Sequence, residues 1–347
     1  MKLAITGGGT GGHLAIAVAL AKEARSRGIE TIFIGSSSGQ DRDYFGDGGH
    51  YEDLFSEAYF LPTSGVVNKK GLARVASLFA ILKATLRSIK ILRSCDVLYS
   101  VGGFSAAPAS FASLLVRKPL YIHEQNAVIG RLNALLKPYA KSFVSSYEDS
   151  SPIKGYPVQE IFFDLFRIRK SVECVIFLGG SLGARAINDL ALSVVDDLSN
   201  RGIKIVHQTG KKDYERVVAE YKRLGVDAEV VAFSKDIASL MERADLAVSR
   251  SGASTLWELC ANGLPALFVP YPYAALDHQY YNAKFLRDAN LAWLEREGAD
   301  LKGLFLTLLD EDLTQKSEKL ASMTNKNVAK MMIDEILGDT NEIYRSF

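Results

Sequence analysis

The chain has 347 residues, 48% of them hydrophobic, enough to bury the cores of two medium domains. Its 41 basic and 40 acidic residues give a net charge of +1, which argues against a dedicated nucleic-acid-binding protein. The three cysteines stand far apart, so neither a disulfide framework nor a metal site is indicated.

Apolar runs that end in Gly or Ser alternate with helical patterns along the chain, which is typical of βα units and parallel sheets. The predicted strands of the first half are Lys2–Ile5, Thr31–Ile34, Val97–Val101, Leu120–His123 and Ser142–Ser145. Those of the second half are Cys174–Leu178, Lys204–His207, Glu229–Ala232, Leu246–Ser249, Ala266–Val269 and Leu291–Leu294. A final helix is predicted at Lys326–Leu337.

The two halves repeat one pattern, in which a strand, a loop of small residues and a helix follow each other. We therefore predict an α/β protein with two Rossmann-like, doubly wound parallel-sheet domains that face each other across a cleft. The expected domains are residues 1–154 and 155–334, with the chain end, about 335–347, packing back on the first domain.

No signal peptide precedes the strand-like run Leu3–Ile5, and no apolar run has transmembrane length. We expect a cytosolic protein, or one attached to a membrane only at its surface.

The opening loop, TGGGTGGHL, contains the GxGxxG pattern at Gly7, Gly9 and Gly12. A dinucleotide site also needs an acidic residue at the end of the second strand, where this chain has serines. A Walker loop needs Lys and Ser or Thr where His13-Leu14 stand. What remains is a loop whose backbone N–H groups, at a helix N-terminus, can approach an anion or a polar ring.

His13 stands at the start of that helix, where the helix dipole favours a neutral imidazole that can accept a proton. The alternative is a histidine that only caps or packs against the loop.

The second half has comparable loops at Gly179–Ala184 and Arg250–Glu258. Ser181 either caps a helix or binds a phosphate. Glu258 either accepts hydrogen bonds from a ribose diol or stabilises the helix dipole. Polar side chains also follow two later strands, in His123-Glu124-Gln125-Asn126 and Asp277-His278-Gln279, and suit a hydroxyl-rich ligand such as a sugar.

Residues 58–94 contain no Asp or Glu but seven basic residues. Apolar residues at a spacing of 3 and 4, including Val75, Phe79, Leu82, Leu86 and Ile89, predict one helix face, and Lys83, Arg87 and Lys90 share another. Leu72 and Leu78 are further apolar residues, more than a single core-facing stripe of the helix needs. The segment is either a docking surface for anionic lipid headgroups or an ordinary helix with a solvated basic side.

Six segments together resemble the MurG family of two-domain GT-B glycosyltransferases, family 28, in the family's order and approximate spacing. They are GGGTGGHL, SVGGF, HEQN, GGSLGARAIN, RSGASTLWELCANGLPALFVPYP and DHQYYNA. The resemblance spans nearly the whole chain. It implies an inverting transfer of GlcNAc from UDP-GlcNAc to the C4 hydroxyl of MurNAc in lipid I, which gives lipid II for peptidoglycan synthesis.

The resemblance also implies residue roles. The implied donor-site residues are Phe233 and Ser234 at the uracil, Ser181 and Thr255 at the diphosphate, Glu258 at the ribose, Asn126, Ala253, His278 and Gln279 at the GlcNAc ring, and Asn188 and Arg250 nearby. Thr10, Gly11, Gly12 and Phe104 match the acceptor side. His13 is the preferred general base and Glu124 its rival.

The chain departs from the family at the junction between the domains, where Tyr156-Pro157-Val158-Gln159 replaces the usual Asn-Pro-Val-Arg. The lost arginine puts an expected contact to donor or diphosphate in doubt, and Arg185 and Arg250 are candidates to compensate. Phe104 replaces a family tyrosine, which removes one hydroxyl from the acceptor side.

The resemblance implies no required cofactor, with a divalent cation admitted only as a counter-ion for the diphosphate. It implies UDP-GlcNAc, undecaprenyl-linked lipid I, an anionic membrane and the cell-wall and division machinery as partners. The expected location is the cytoplasmic face of the bacterial inner membrane, as a peripheral protein. Two other hypotheses are a hydrolysing UDP-GlcNAc 2-epimerase and a non-enzymatic subunit that binds a nucleotide sugar.

Overall fold

The structure is a computed structural model that describes residues 1–63, 65, 71–180 and 183–345, without the side chains of residues 72, 74 and 339–345. The chain forms two compact units. The first unit is Met1–Val158 with Asn327–Phe347, and the second is Gln159–Lys326. The division thus falls slightly later than the expected residue 154, and the chain returns to the first unit earlier than the expected residue 335.

The sheets contain the predicted strands, with ends that differ by a residue or two. The first-unit strands are β1 (Lys2–Thr6), β2 (Glu30–Ser36), β3 (Glu57–Leu61), β4 (Val97–Ser100), β5 (Leu120–Glu124) and β6 (Ser142–Ser145). The second-unit strands are β7 (Cys174–Leu178), β8 (Lys204–Gln208), β9 (Glu229–Val231), β10 (Leu246–Ser249), β11 (Ala266–Phe268) and β12 (Trp293–Leu294).

The helices follow the strands in βα order. In chain order they are α1 (Gly11–Ser26), α2 (Asp41–Phe45), α3 (Gly71–Leu92), α4 (Ala107–Leu115), α5 (Arg131–Leu136), α6 (Glu160–Asp164), α7 (Arg185–Ser193), α8 (Val195–Asn200), α9 (Tyr214–Leu224), α10 (Ile237–Arg243), α11 (Ala253–Asn262), α12 (His278–Asp288), α13 (Leu301–Leu308), α14 (Thr314–Ala321) and α15 (Val328–Arg345). Among the described residues, no helix is long and apolar enough to cross a membrane.

Each unit is built on a six-stranded parallel sheet, which confirms the predicted fold class. The strand orders are β3-β2-β1-β4-β5-β6 and β12-β11-β10-β7-β8-β9. Strand order reverses between β1 and β4 in the first sheet and between β7 and β10 in the second. Ligands of such sheets bind beside the carboxyl ends of the strands at this reversal, which is where the glycine-rich loops lie.

Strand β3 is the one strand of the two sheets that the sequence did not reveal. It lies at the edge of its sheet and pairs with β2, Tyr59 opposite Ile34. Its residues EAYFL begin with a charge and are mostly half-buried, so the segment lacks the continuous apolar run of the central strands. The segment is a strand because it pairs with β2, and its own residue pattern does not predict one.

Helix α3 buries small residues and exposes its large apolar side chains. Its buried residues include Ser77, Ala84 and Ser88, which are small. The large side chains are exposed instead: Val75 62%, Leu78 52%, Phe79 68%, Leu82 57% and Leu86 57%. The apolar stripe is thus exposed, whereas Ala84 is buried in a cluster with Ala109 and Ala112 of α4.

A buried chain of polar side chains crosses the core of the second unit. The Tyr221 hydroxyl lies 3.0 Å from His207 Nδ1, and His207 Nε2 lies 3.0 Å from Asn188 Oδ1. Asn188 Nδ2 donates to the Thr209 carbonyl and to Asp213, so Oδ1 is the acceptor and His207 Nε2 the donor. Burial lowers the pKa of His207 to about 3, so the ring is neutral and its Nδ1 accepts from the Tyr221 hydroxyl.

We expect this histidine to make the second unit acid-labile. An unfolded histidine binds a proton near its ordinary pKa of 6.5, whereas folded His207 resists protonation down to about 3. Its stabilising contribution is therefore complete above pH 6.5 and falls below it, by up to about 1.4 kcal/mol per pH unit. Urea unfolding of the second unit between about pH 7.5 and pH 5 should show a shallower pH slope for His207→Gln than for the parent. Equal slopes would contradict the assignment.

Candidate functional site

The glycine loops after β1 and β4 interlock. Gly8 N–H donates to the Gly102 carbonyl at 3.1 Å. A side chain at Gly7 would collide with that same carbonyl, and one at Gly103 would collide with the Gly8 carbonyl. Gly7, Gly9, Gly102 and Gly103 all have positive φ angles, between 82° and 120°. Only glycine allows this approach of two backbones, which explains GGG in one loop and GG in the other.

Asp41, at the start of α2, anchors the first of these loops. Its carboxylate accepts hydrogen bonds from Gly9 N–H and, at 2.7 Å, from Ser36 N–H. The residue is fully buried, and burial raises the pKa of its carboxyl group. Asp41 could not be recognised from the sequence as the acid of this loop, because it does not follow β2 directly but comes after a turn of serines and glycine.

His13 lies in the first turn of α1 beside the interlocked loops. Its Nδ1 is 2.8 Å from the Thr10 hydroxyl, and a Cβ on Gly102 would lie 3.5 Å from its Nε2. Thr10 can therefore hold the imidazole in the tautomer with a proton on Nδ1, which makes Nε2 the acceptor. The ring of Phe104 packs against Gly9 on the same side of the loop. The predicted acceptor residues Thr10 and Phe104 and the predicted base His13 thus all stand at these interlocked loops.

Glu124, the predicted rival base, has every lone pair engaged. Its Oε1 accepts from the backbone N–H of Asn126 at 2.9 Å and from its side-chain amide at 3.3 Å. Its Oε2 accepts from Gly130 N–H and from Asn133 Nδ2, both at 2.9 Å. A carboxylate with four donors organises a loop and has no position left for a substrate proton. Glu124 therefore holds Asn126 in place.

Tyr156, which replaces the family asparagine at the junction, has a clear structural role. Its hydroxyl donates to the Gly12 carbonyl at 2.8 Å, and its ring meets the buried ring of His123 edge-on at 6.1 Å. Burial lowers the pKa of His123 to about 4, so His123 is neutral at physiological pH. The departure from the family pattern thus links the junction segment to the start of α1.

The second unit presents an exposed aromatic ring before α10. Phe233 is 41% exposed. The neighbouring Ser234 accepts a hydrogen bond from Asp236 N–H at 3.1 Å, and Asp236 caps α10 by accepting from Ser239 N–H. The turn is therefore held by its own hydrogen bonds while Phe233 faces outward.

Helix α11 places its predicted ligand residues on its first turns. Ala253 is the first residue of the helix and Thr255 is half-buried. Glu258 accepts a hydrogen bond from the Ser254 hydroxyl at 2.6 Å, and burial raises the pKa of its carboxyl group. Among the described residues, Ser254 donates to one carboxylate oxygen of Glu258, Oε1. The carboxylate can therefore accept further hydrogen bonds, unlike that of Glu124.

Arg250 is fixed by protein partners. Its Nη1 donates to the carbonyls of Val269 and Pro270, both at 3.0 Å, and its Nη2 pairs with Glu297. The guanidinium also lies 5.7 Å from the centre of the Tyr271 ring. These contacts hold the end of β11 and leave Arg250 poorly placed to replace the missing family arginine.

The start of α12 is a tight turn with two non-glycine residues, Leu276 and Asp277, at φ of 55°. His278 Nδ1 lies 2.8 Å from the Ala275 carbonyl, which can only accept, so a neutral His278 has its acceptor at Nε2. Gln279 Oε1 accepts from Tyr271 N–H at 2.9 Å. This strained turn therefore orients two of the residues predicted at the sugar.

Comparison with known proteins places these loops in a family. The N-terminal domain of glycosyltransferase family 28 matches residues 3–145, and its C-terminal domain matches residues 174–336. The chain belongs to glycosyltransferase family 28. The family's two domains correspond to the two units and contain both sets of loops described above.

Relatives agree with this assignment over the full chain. A Sulfurimonas denitrificans protein is 56% identical over 98% of this chain and 100% of its own length, and a Campylobacter fetus protein is 48% identical over 96% and 99%. Both are named UDP-N-acetylglucosamine–N-acetylmuramyl-(pentapeptide) pyrophosphoryl-undecaprenol N-acetylglucosamine transferase. The crystal structure of Acinetobacter baumannii MurG matches with a TM-score of 0.76 and 28% identity, over 97% of this chain and 99% of that one.

In this family 28 chain, the two remaining predicted donor residues are Asn188 and Ser181. Asn188 is fully buried, and its amide is engaged by His207, Thr209 and Asp213, so its prediction as a ligand contact is corrected to a structural role beneath the loop. Ser181 lies outside the described residues. Arg185, the other candidate to replace the family arginine, is 68% exposed and pairs with Asp189.

No group of three or more His, Cys, Asp or Glu side chains in the described ranges could hold a metal ion.

We expect Glu124→Gln to weaken the first unit. The amide NH₂ of glutamine would face two of the donors that the carboxylate now accepts, at a cost of about 1–3 kcal/mol. Thermal unfolding should show a lower midpoint for this variant. Asp149→Asn, where the side chain is 99% exposed, is the control and should leave the midpoint unchanged. An unchanged midpoint in Glu124→Gln would contradict the four-donor arrangement.

Proposed function

We propose that this protein is an inverting glycosyltransferase that transfers GlcNAc from UDP-GlcNAc to the C4 hydroxyl of MurNAc in lipid I. The product is lipid II, an intermediate of peptidoglycan synthesis. The observation that carries this proposal is the 56% identity, over 98% of the chain, to a relative named for this transfer. The residues that would perform this transfer stand on loops at the carboxyl ends of the strands in both sheets.

We propose that the second unit binds the donor. Phe233 and Ser234 would hold the uracil, and the exposed ring of Phe233 supports this role. Glu258 would accept hydrogen bonds from the ribose diol, using the acceptor capacity that Ser254 leaves. Thr255 and Ser181 would contact the diphosphate. Ala253, His278 and Gln279 are the second-unit residues proposed at the GlcNAc ring, and Asn126 of the first unit is proposed there as well.

The first unit would bind the acceptor with Thr10, Gly11, Gly12 and Phe104. His13 is the proposed general base, since its Nε2 accepts when Thr10 holds Nδ1, whereas Glu124 has its lone pairs engaged. In the transfer, the C4 oxygen of the acceptor forms a bond to C1 of GlcNAc while the C1–O bond to UDP breaks. His13 takes the proton of the C4 hydroxyl, and UDP leaves with the bonding electron pair.

We further propose that no metal ion is required. The charge that develops on UDP would be met by the N-terminal amides of α11 and by the Thr255 hydroxyl, which act as fixed donors. Turnover should therefore persist in EDTA. Loss of turnover in EDTA, with recovery on adding a divalent cation, would overturn this part of the proposal.

The membrane surface is proposed to be bound by α3. Its exposed apolar stripe (Val75, Leu78, Phe79, Leu82 and Leu86) is flanked by the basic residues Lys83 and Arg87, which are exposed as well. Apolar side chains that enter the headgroup region beside basic ones are typical of peripheral attachment to anionic lipid. Leu72 and Lys90, also predicted for this surface, belong to the same helix, but the side chain of Leu72 is outside the description. We propose a location at the cytoplasmic face of the inner membrane, where the cell-wall and division machinery are the expected partners.

A panel of UDP-sugars, each assayed with and without a lipid I analogue, tests the reaction. We expect UDP release with UDP-GlcNAc only when the acceptor is present. Release without acceptor would instead indicate a hydrolysing 2-epimerase, and binding without release would indicate a non-enzymatic subunit.

His13→Gln tests the base. We expect kcat to fall by about 10²- to 10⁴-fold, because glutamine cannot take the proton, while UDP-GlcNAc binding measured by calorimetry is unchanged. His50→Gln, an exposed histidine of the same unit, is the matched control and should retain parental kcat. Parental kcat in folded His13→Gln would show that another group is the base.

Reversing Lys83, Arg87 and Lys90 to Glu tests the membrane surface. We expect the variant to bind anionic vesicles more weakly in a flotation assay, because three attractive charges become repulsive. Its binding should also depend less on salt than that of the parent. A control with the same change of net charge reverses Lys204, Lys222 and Lys319, which are exposed on the second unit. If both triple variants bind vesicles as the parent does, α3 is not the docking surface.

A further inference from the structure

The carboxylate of Asp41 lies beneath the glycine loop of β1, and none of the roles proposed above uses it. It accepts hydrogen bonds from two backbone amides, Gly9 N–H and Ser36 N–H, and it is fully buried. Backbone amides that converge on one anion are the arrangement by which glycine-rich loops hold phosphate groups. Here the anion is a side chain of the protein itself.

The surrounding backbone is shaped to this carboxylate. A Cβ at Gly8 would lie 2.5 Å from Asp41 Oδ1, and a Cβ at Gly35 would lie 2.7 Å from Asp41 Oδ2 and also collide with the Phe33 ring. Both distances are shorter than any ordinary contact, so glycine at both positions leaves the space that the carboxylate fills. Gly39 packs directly against Gly9, since a Cβ at Gly39 would lie 2.8 Å from Gly9 Cα.

The carboxylate also limits which amides of the loop can meet a ligand. Gly8 N–H donates to the Gly102 carbonyl and Gly9 N–H donates to Asp41, so both are satisfied inside the protein. The first hydrogen bond within α1 runs from Leu14 N–H to the Thr10 carbonyl. A nucleotide phosphate cannot use Gly9 N–H in the way that a GxGxxG loop normally provides.

We propose that Asp41 is the positioning residue of the glycine loop, where its carboxylate takes the place that a nucleotide phosphate fills in other loops of this pattern. It closes the loop to nucleotide phosphates and fixes the backbone that presents Thr10 and His13 to the acceptor. The inference rests on the proposed function, because the acceptor is the substrate of that reaction.

Asp41→Ala tests this role, because it removes the carboxylate and leaves two amides around a space that a small carboxylate can enter. We expect the KM for the lipid I analogue to rise about tenfold or more, since two hydrogen bonds to a charged group are lost, while the KM for UDP-GlcNAc stays within about twofold. Added formate should restore the acceptor KM of Asp41→Ala. It should not restore that of Asp41→Asn, where an amide already fills the space.

Asp43→Asn is the matched control, because Asp43 is an exposed carboxylate on the same short helix. It should keep the parental KM for both substrates, with and without formate. Circular dichroism and UDP binding establish that each variant is folded. A parental acceptor KM in folded Asp41→Ala, or a raised one that formate does not lower, would overturn the inference.

A failure of the proposed function is seen separately, as an inactive parent enzyme. In that case the thermal midpoint of Asp41→Ala still tests the anion site. Formate should raise the midpoint of Asp41→Ala and leave the midpoints of the parent and of Asp41→Asn unchanged. No selective rise with formate would show that the two amides do not form a site for an anion.

Discussion

Two glycine loops whose backbones touch form the constraint on which the first unit's site depends. The carbonyls of Gly8 and Gly102 occupy space that any side chain at the facing residue would need. This contact joins the carboxyl ends of β1 and β4, the two strands at which the sheet reverses its order. Because the contact is made by backbone atoms, Thr10 and His13 stand on a rigid base while they remain accessible at the start of α1.

The hydrogen bonds that side chains already make separate the residues that hold the site from those that can act on a ligand. Glu124, Asn188 and Arg250 have polar atoms taken by protein partners, so each serves mainly to position neighbouring backbone. Glu258 and His13 stand in equally suggestive motifs, where one hydrogen bond runs from Ser254 to Glu258 and one joins Thr10 and His13 Nδ1. Motif membership alone does not distinguish these two groups, since the distinction depends on which donors the fold brings close.

In helix α3 the periodicity marked one helix face but left open whether that face is buried or exposed. A spacing of 3 and 4 marks one face of a helix, and it holds whether that face meets protein or a membrane. In this chain the small residues pack on α4 and the large apolar residues stay at the surface. The exposed stripe and the basic residues beside it form one surface.

The sequence by itself determined the α/β class, the tandem sheets, all strands except β3 and the family, because buried parallel strands and loop glycines leave strong local patterns. The tertiary structure alone decided the pairing that makes β3 a strand, the outward orientation of the α3 stripe, the burial of Asn188 and the roles of Asp41 and Tyr156. Each of these depends on contacts between residues distant in sequence, such as Asp41 with Gly9 and Tyr156 with Gly12. The local sequence pattern shows which side chains a segment contains. Their burial and their hydrogen-bond partners are decided only when segments distant in sequence pack together.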